Sequence, residues 1–209
     1  TEKEDYVIAS DTDSVYITFD TLVSKSFKDT NQSTESIVNF LDKIATDKIE
    51  PFINRSYESL ADTVGAYEQK MIMSREVIAD KGIWTAKKRY ILNVHDSEGV
   101  RYKEPKLKIM GIEAVKSSTP APCREKIKEA LKIIINGDEK MLNTFIQEFR
   151  EEFMLLSPEE IAFPRSCNGI QKYTGESSLY AKGSPIAVKG AILYNHLIKK
   201  NNLSGRYPF

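Results

Sequence analysis

The segment from Val7 to Asp20, VIASDTDSVYITFD, constrains the fold of this chain more than any other stretch. Tyr6 to Ala9 on one side and Val15 to Phe19 on the other are rich in β-branched and aromatic residues, which favour strands. The residues between them, Ser10 to Ser14, are polar. Two apolar runs around a short polar centre predict a β-hairpin. Asp and Ser are common in such turns because their side chains hydrogen-bond the local backbone, so the turn is open to a purely structural interpretation.

The composition indicates a folded intracellular protein. The chain has 209 residues, of which 41% are hydrophobic and 10% aromatic, enough for one large or two small domains with a real core. No apolar run approaches the ~20 residues that span a bilayer, and the charged N-terminal residues are unlike a signal peptide. Cys123 and Cys167 lack the spacing of a zinc site or a disulfide framework, so a reducing compartment is expected.

The net charge of zero conceals a gradient along the chain. Residues 1–80 contain 8 Lys/Arg and 16 Asp/Glu, residues 81–116 contain 9 and 4, and residues 117–209 contain 13 and 10. An acidic part followed by a basic part is typical of a protein that holds cations in one place and a polyanion in another. Solvated surface charge produces a similar pattern, so both interpretations stay open.

Helical periodicity follows the hairpin. Apolar residues recur at helical spacing from Ile37 to Ile49, and Thr34 is a plausible N-cap for that helix. Pro51 is expected to break or kink the helix before a second helical stretch, because proline lacks the N–H that a helix interior needs.

Strands are predicted after the helices. The segment from Glu68 to Asp80 is interpreted as a strand. Ile83 to Ile112 predicts two strands joined by the turn from Asp96 to Gly99. Residues up to about Ile112 are therefore expected to form an antiparallel sheet with a packed helix.

From residue 117 the pattern becomes mostly helical, which gives an α+β chain with a helical second part. Three helices are predicted there from caps, prolines in a first turn and apolar faces. Their limits are, in chain order, Ser118 or Thr119 to Gly137, Asp138 to Leu156, and Ser184 to Asn201.

Asp11 and Asp13 are the first candidates for chemistry. Two carboxylates set two residues apart in a turn repel each other, so a site that keeps both ionised gains from a hard cation beside them. Mg²⁺ takes oxygen ligands and shares them readily with phosphate. An Asp-x-Asp pair also occurs by chance, and it is a weak signal when taken alone.

The second candidate is the sequence KKRY, residues 87–90, which is predicted to lie in a strand. Consecutive cations in a sheet repel one another unless an anion lies across them. A nucleic-acid backbone supplies that anion, and Tyr90 adds a hydroxyl and a ring. A solvated edge strand protected by lysine is the alternative. We expect the Val7–Asp20 hairpin to pair within the sheet that contains Lys87 to Val94.

These motifs together resemble family B DNA polymerases, and more closely the polymerases of T-even-type bacteriophages. The motifs are SDTDS in a hydrophobic hairpin, KKRY, and EPKLKIMGIEAVKSSTP, and their order and spacing agree from about Tyr6 to Lys200. In that family the hairpin is the third conserved palm motif, KKRY contacts the primer end, and the last motif leads into the thumb. The resemblance implies a partial palm subdomain over residues 1–116 and a thumb subdomain over residues 117–209, with an incomplete C-terminal end.

The resemblance assigns roles by position. Asp11 and Asp13 match the catalytic pair that binds two Mg²⁺ ions, and Asp13 is the expected direct ligand of both. Glu76 matches a supporting acidic residue near the metals, and Lys88 is expected at the minor-groove edge of the terminal base pair. The residues that match contacts to the primer end, the duplex phosphates and the DNA backbone are Lys87, Lys88, Arg89 and Tyr90, then Lys116, Ser117, Ser118 and Thr119, then Asn168, Lys172 and Tyr173.

The chain departs from the family in two ways. Ala9-Ser10 stands where the family has Tyr-Gly, and loss of the glycine removes backbone freedom at the turn. The first palm motif with its aspartate, the nucleotide-binding fingers helix, the exonuclease domain and the clamp-binding tail are also missing. Two-metal chemistry needs carboxylates that hold ions about 3.5–4 Å apart, which one hairpin does not build. The resemblance thus implies an N-terminal partner for activity, an isolated chain that is inactive, and possible contact of a missing tail with a sliding clamp.

The leading hypothesis is therefore the palm-and-thumb piece of a DNA-directed DNA polymerase, with primer-template DNA and dNTPs as substrates, in the cytoplasm of an infected bacterium and away from membranes. The alternative is a primer-template-binding module without catalysis. A third interpretation is an α+β protein in which the Asp-rich turn is only a turn. Clustered carboxylates favour the first, because a relic hairpin has no physical reason to keep them.

Overall fold

The structure is a computed structural model that describes residues 5–28, 32–175, 178–198 and 205–208. The chain divides into two compact units, Thr1–Lys108 and Ile109–Phe209. Helices combine with antiparallel sheets of two and three strands, which confirms the predicted α+β class. The assignment of residues 1–116 to a palm and residues 117–209 to a thumb stays a prediction.

The first unit contains a small hairpin, a helical segment and a three-stranded sheet. Its elements are, in chain order, β1 (Val7–Asp11), β2 (Ser14–Ile17), α1 (Asp20–Ser26), α2 (Thr34–Ile44), a π-helical turn (Ala45–Ile49), α3 (Glu50–Val64), β3 (Val77–Ala86), β4 (Arg89–Ser97) and β5 (Val100–Met110).

The predicted hairpin is confirmed. β1 and β2 pair antiparallel with Asp11 opposite Ser14, so Thr12 and Asp13 form the turn. Ser10 lies within β1, whereas the positive φ of 50° is at Thr12. The missing glycine at position 10 therefore creates no backbone strain at that position. The expected pairing of this hairpin within the larger sheet is wrong, because β1 and β2 form their own two-stranded sheet among the described residues.

The helical segment continues past the proline that was expected to interrupt it. Ser33, one residue before the predicted cap, accepts a hydrogen bond from the Ser36 N–H and caps α2. Pro51 lies in the first turn of α3, directly after the π-helical turn. The Glu50 N–H reaches back five residues to the Ala45 carbonyl, and this wider turn accommodates a residue that donates no hydrogen bond.

The strand predicted for residues 68–80 is wrong up to Glu76, because β3 begins at Val77. Side chains form hydrogen bonds with the backbone N–H and C=O groups that would otherwise pair with a neighbouring strand. The Gln69 amide donates to the Met71 carbonyl at 2.7 Å, and the Arg75 N–H donates to Glu50 Oε1 at 3.0 Å. These side-chain bonds, one local and one to a distant helix, replace the ladder bonds of a strand.

The position predicted for KKRY is also partly wrong. Lys87 and Lys88 form the tight turn between β3 and β4, with Ala86 opposite Arg89, and only Arg89 and Tyr90 lie in a strand. Lys88 has a φ of 60°, which fits a turn. The second predicted turn is confirmed in place, although Asp96 and Ser97 still belong to β4 and Glu98 and Gly99 make the turn to β5.

The core of this unit is formed by side chains of α2, β3 and β4. Strand order is β3-β4-β5, so β4 is covered on both edges. The buried apolar side chains are Val38 of α2, Ile78 of β3, and Ile91, Leu92 and Val94 of β4. A well-packed β4 gives the residues at its start a rigid base.

The second unit is mostly helical, as predicted. Its elements are a 3-10 turn (Glu113–Val115), α4 (Ala121–Asn136), α5 (Glu139–Phe153), α6 (Pro158–Ile161), β6 (Pro164–Cys167), a second 3-10 turn (Ile170–Tyr173), α7 (Ile186–Ile198) and β7 (Gly205–Pro208). β6 and β7 pair antiparallel and were not predicted. The side chains packed at its core are Cys167, Ile170, Val188, Ala191 and Ile192.

The helix limits in this unit differ from the prediction at two starts. Pro120 caps α4, not Ser118 or Thr119, and Gly137 follows its last residue as predicted. Asp138 caps α5 through the Met141 N–H. α7 begins at Ile186, and residues 199–201 of the predicted helix lie outside the described residues. Within the described ranges, no helix has the length and apolar character to cross a bilayer.

Candidate metal and nucleic-acid site

The carboxylate hairpin, which we define as β1, β2 and the turn Thr12-Asp13, is fixed by short-range hydrogen bonds. Thr12 Oγ1 donates to Asp11 Oδ1 at 3.2 Å, and Ser14 Oγ donates to the Asp11 carbonyl at 3.1 Å. These bonds hold Asp11 at the end of β1, where its side chain is half-buried, while Asp13 at the tip is exposed. The two carboxylates therefore differ in setting, with Asp13 presented to solvent.

The cationic turn, Lys87 and Lys88, meets the carboxylate hairpin. Lys88 Nζ lies 3.7 Å from Asp11 Oδ2, although the two residues belong to different sheets. The lysine side chain is 66% exposed, so this pair contributes only about 0–1 kcal/mol to stability. Its value is geometric, since it places a cation and a carboxylate from two separately predicted motifs at one site.

Three aromatic rings join the same two motifs. The ring centroid of Tyr16, on β2, lies 5.4 Å from that of Trp84 on β3 and 5.4 Å from that of Tyr90 on β4. The interplanar angles are 71° and 61°, the edge-to-face geometry that aromatic pairs favour. We call Tyr16, Trp84 and Tyr90 the aromatic cluster. The sequence analysis did not identify Tyr16 and Trp84 as site residues. In the sequence they look like ordinary strand residues, and nothing local shows that their rings meet.

Gly82 makes room for the aromatic cluster. A Cβ at this position would lie 2.7 Å from ring carbon Cζ3 of Trp84 and 2.8 Å from Cδ2 of Leu92. Gly82 and Trp84 are two residues apart in β3 and so face the same side of the strand. The absence of a side chain at Gly82 lets the indole ring lie against the backbone.

Tyr90 is held in its neutral form. Partial burial raises the pKa of its phenol, and a side-chain hydrogen bond with Tyr16 raises it further. The negative charges of Glu76 and Asp11 act in the same direction. Tyr90 therefore keeps its proton throughout the physiological range.

The described residues fit a metal in part. Asp11 and Asp13 offer the hard oxygen ligands that Mg²⁺ binds. Glu76, by contrast, pairs with Lys108, and its side chain is 54% exposed. Within the described part of the chain, no group of three His, Cys, Asp or Glu side chains could hold a metal ion. The structure does not assemble Glu76 with Asp11 and Asp13 into one ligand set, and the metal site at the hairpin stays a prediction.

A buried ion-pair network lies next to Glu76 and was not found from the sequence. Asp96 is fully buried and pairs with Arg75 and with Arg101, whose Nε lies 3.2 Å from Asp96 Oδ2. Arg75 also pairs with Asp42 of α2 at 2.7 Å. The signal that could have revealed it is the single Asp in the otherwise buried segment of β4.

The second unit brings several predicted DNA contacts together in one cleft of about 650 Å³. Ser117, Ser118, Asn168 and Tyr173 all line it, although about 50 residues of sequence separate the two groups. Further lining residues, which sequence reasoning missed, are Arg165 and Ser166 of β6 and Pro185, Ala187 and Val188 of the α7 region. The cleft combines hydroxyl, amide and guanidinium donors, a set that suits phosphate oxygens.

Three other predicted contacts of this unit lie differently. Lys116 pairs with Glu113 at 2.9 Å. The Thr119 side chain is buried, and the Thr119 N–H donates to the Lys116 carbonyl, so this residue shapes the entry to α4. Lys172 is exposed and does not line the cleft. Their DNA contacts remain predictions.

Comparison with known proteins gives two relatives of the whole region. The chain is 39% identical to the DNA-directed DNA polymerase of Escherichia phage RB69, over 96% of its own length, and 34% identical to that of Enterobacteria phage T4, over 95%. It spans 23% of the length of each of these proteins. No family model matches the sequence. The resemblance to T-even-type phage polymerases is confirmed for this segment.

Proposed function

Because the chain is a homologue of one segment of the T-even-type phage DNA polymerases, we propose that it forms part of the active site and of the duplex-binding surface of a DNA-directed DNA polymerase. The observation that carries this proposal is the 3.7 Å approach of Lys88 Nζ to Asp11 Oδ2. Carboxylates for a metal and cations for a primer end must lie side by side in such an enzyme, because the reacting primer oxygen has to reach the metal.

Asp11 and Asp13 would hold Mg²⁺ at the tip of the carboxylate hairpin, with a further carboxylate from another segment of the polymerase. A bound metal pair stabilises the attacking and leaving oxygens of an in-line displacement. The half-buried Asp11 is restrained by Thr12, whereas Asp13 is exposed. We therefore assign Asp13 as the principal ligand and Asp11 as a ligand or a positioning group.

The cationic turn and Tyr90 would hold the primer end. Lys87 and Lys88 sit on a tight turn that projects from the sheet, where phosphates can approach them without displacing the core. Tyr90 keeps its proton because burial and a hydrogen bond with Tyr16 raise its pKa, so it meets the primer end as a neutral phenol without a negative charge that would repel phosphates. Arg89 follows the turn as the first residue of β4.

The cleft of the second unit would contact the sugar-phosphate backbone of the product duplex. Ser117 and Ser118 enter it from the segment before α4, and Asn168 and Tyr173 enter it from the segment after β6. Hydroxyl and amide donors fix the position of a duplex but carry little sequence information. The binding is therefore expected to be independent of sequence.

Completion of the site would need the other segments of the polymerase, on the same polypeptide or on a separate one. These are the first palm motif with its aspartate, the fingers that bind the dNTP, and the exonuclease domain, and a C-terminal tail would contact the sliding clamp. The relatives are phage proteins, so the proposed setting is an infected bacterium.

The test is primer extension by the polymerase that contains this segment, with Mg²⁺ and with Asp13→Asn as the variant. We expect Asp13→Asn to abolish extension and to leave primer-template binding intact or slightly tighter, because a negative charge near phosphates is removed. Asp47→Asn is the matched control, since Asp47 is an exposed aspartate on the π-helical turn. Extension at the unaltered rate by Asp13→Asn contradicts the metal-site assignment.

A second candidate is a primer-template-binding module without catalysis. It is favoured by the ion pairs of Asp11 with Lys88 and of Glu76 with Lys108, since a carboxylate already neutralised by lysine has less need of a metal. The same extension assay separates the two. Two results support the binding module: DNA binding together with normal primer extension by Asp13→Asn, or DNA binding without primer extension by the unmodified polymerase.

A further inference from the structure

Tyr16 occupies an unusual place between the two sheets of the first unit. It belongs to β2 of the carboxylate hairpin, yet its ring packs edge-to-face on Trp84 and Tyr90 of the three-stranded sheet. Among the described residues, the two sheets share no backbone ladder. Side chains must therefore set the position of the hairpin relative to β4.

We propose that Tyr16 is a positioning residue, whose ring and hydroxyl hold Tyr90 and thereby fix the primer-end side of β4 against the carboxylate hairpin. This inference rests on the proposed function. Tyr16 itself need not touch DNA or metal, since it acts through Tyr90.

Three observations support this role. The rings of Tyr16, Trp84 and Tyr90 contact one another, with Trp84 and Tyr90 6.2 Å apart. The indole of Trp84 packs against the strand backbone at Gly82, where an added Cβ would lie 2.7 Å from its ring. The hydrogen bond with Tyr16 is also among the causes that raise the pKa of Tyr90, so the hydroxyl groups of the two residues interact as well as their rings.

The ion pair between the two sheets is a weaker link than the aromatic contacts. Lys88 and Asp11 are separated by 3.7 Å, and the lysine is largely exposed, so solvent and salt screen the pair. Aromatic packing in a partly buried cluster is not screened in this way. Tyr16 is accordingly the contact that keeps the hairpin in place when DNA phosphates compete for Lys88.

The first test uses the 209-residue chain and needs no polymerase activity. Tyr90 is replaced by 3,5-difluorotyrosine, whose lower intrinsic pKa brings its titration into a pH range in which the protein stays folded, and ¹⁹F NMR follows that titration. We expect Tyr16→Phe to keep the fold and to lower the pKa at position 90 by roughly 0.5–1 unit, because one hydrogen bond to the neutral phenol is lost. Tyr67→Phe, at a fully exposed tyrosine, should leave it unchanged. An unchanged titration in Tyr16→Phe overturns the proposal.

The second test is a double-mutant cycle in the polymerase that contains this segment. We expect Tyr16→Phe and Tyr90→Phe each to slow single-turnover extension, by roughly three- to tenfold, and Tyr16→Phe to change the primer-template Kd by less than about twofold. The double variant should be no slower than Tyr90→Phe, because Tyr16 acts through the Tyr90 hydroxyl. Effects that multiply, or a Tyr16→Phe enzyme of full rate, overturn the positioning role.

The two tests distinguish this inference from the proposed function. If Asp13→Asn extends primers normally, the proposed function fails, while the ¹⁹F titration still decides whether Tyr16 holds Tyr90. If Asp13→Asn abolishes extension but the tyrosine effects multiply, the proposed function stands and the positioning role is wrong.

Discussion

Lys88 Nζ lies 3.7 Å from Asp11 Oδ2, which makes the cationic turn and the carboxylate hairpin neighbours across two separate sheets. The exposed pair contributes little to stability, and the flexible Lys88 side chain can leave Asp11 for a more strongly bound anion. A phosphate group competes directly with Asp11 for this lysine. The consequences for binding and stability can be measured one residue at a time.

The first prediction concerns the salt dependence of DNA binding. Lys87→Ala with Lys88→Ala should weaken binding of a primer-template duplex and reduce the slope of log K against log salt by about 0.9 for each lysine that contacts a phosphate. Fluorescence anisotropy of labelled duplex with the 209-residue chain measures this slope. The control is Lys43→Ala with Lys48→Ala, an exposed lysine pair on the helical segment. Equal slopes for both double variants would mean that the cationic turn does not contact phosphate.

The second prediction concerns Gly82. Gly82→Ala should destabilise the first unit by about 1–3 kcal/mol, because the new methyl group meets the Trp84 ring and Leu92 at under 3 Å. Trp84 is the only tryptophan in the sequence, so its emission reports this site during urea unfolding. Gly190→Ala in α7 is the matched control, since the added carbon meets nothing within 4 Å beyond its chain neighbours and the backbone of its own helix. The control should be neutral or stabilising by up to about 1 kcal/mol.

The third prediction concerns the buried network around Asp96. Asp96→Ala should cost about 3–5 kcal/mol, because Arg75 and Arg101 lose a fully buried partner and remain charged. The Gly99 N–H also loses its acceptor, Asp96 Oδ1 at 3.1 Å. Urea unfolding measures the loss, with Glu68→Ala as the control for an exposed ion pair worth less than about 1 kcal/mol. Similar losses in both variants would show that the network does not stabilise the unit.

The fourth prediction concerns the two thiols. Cys167 is completely buried, and this burial raises the pKa of its thiol, whereas Cys123 is half-buried. Because thiolate is the reactive form, a thiol reagent at pH 8 should modify Cys123 first and Cys167 only as the second unit opens.

The raised pKa of Cys167 also makes stability depend on pH. Folded Cys167 keeps its proton at a pH where the unfolded chain releases it. Its contribution to stability is therefore complete below the ordinary thiol pKa and is lost as the pH rises above it. Equal modification rates in the folded chain would contradict the burial of Cys167.

Sequence patterns predicted the elements with local causes. The hairpin from Val7 was predictable because strand residues flank a polar turn, and its turn lies at Thr12-Asp13. The stop at Gly137 was also predictable, and the cap of α2 is Ser33, one residue before the predicted Thr34. Predictions from local patterns were wrong where a group distant in the sequence determined the backbone conformation. Residues 68–76 have strand composition, but the Glu50 side chain takes the Arg75 N–H.

The candidate site divides in the same way. The sequence by itself determined which charged groups the site contains, namely the carboxylates of Asp11 and Asp13 and the cations of Lys87 and Lys88. It also located the hairpin turn that carries the two carboxylates, because a turn can be recognised from the residues around it. Only the tertiary structure decided that these groups meet, that KKRY begins in a turn, and that Tyr16 packs on Tyr90. Contacts between residues far apart in the chain depend on how the strands pair and on where a glycine, such as Gly82, leaves room for a neighbouring side chain. Neither can be read from a local sequence pattern.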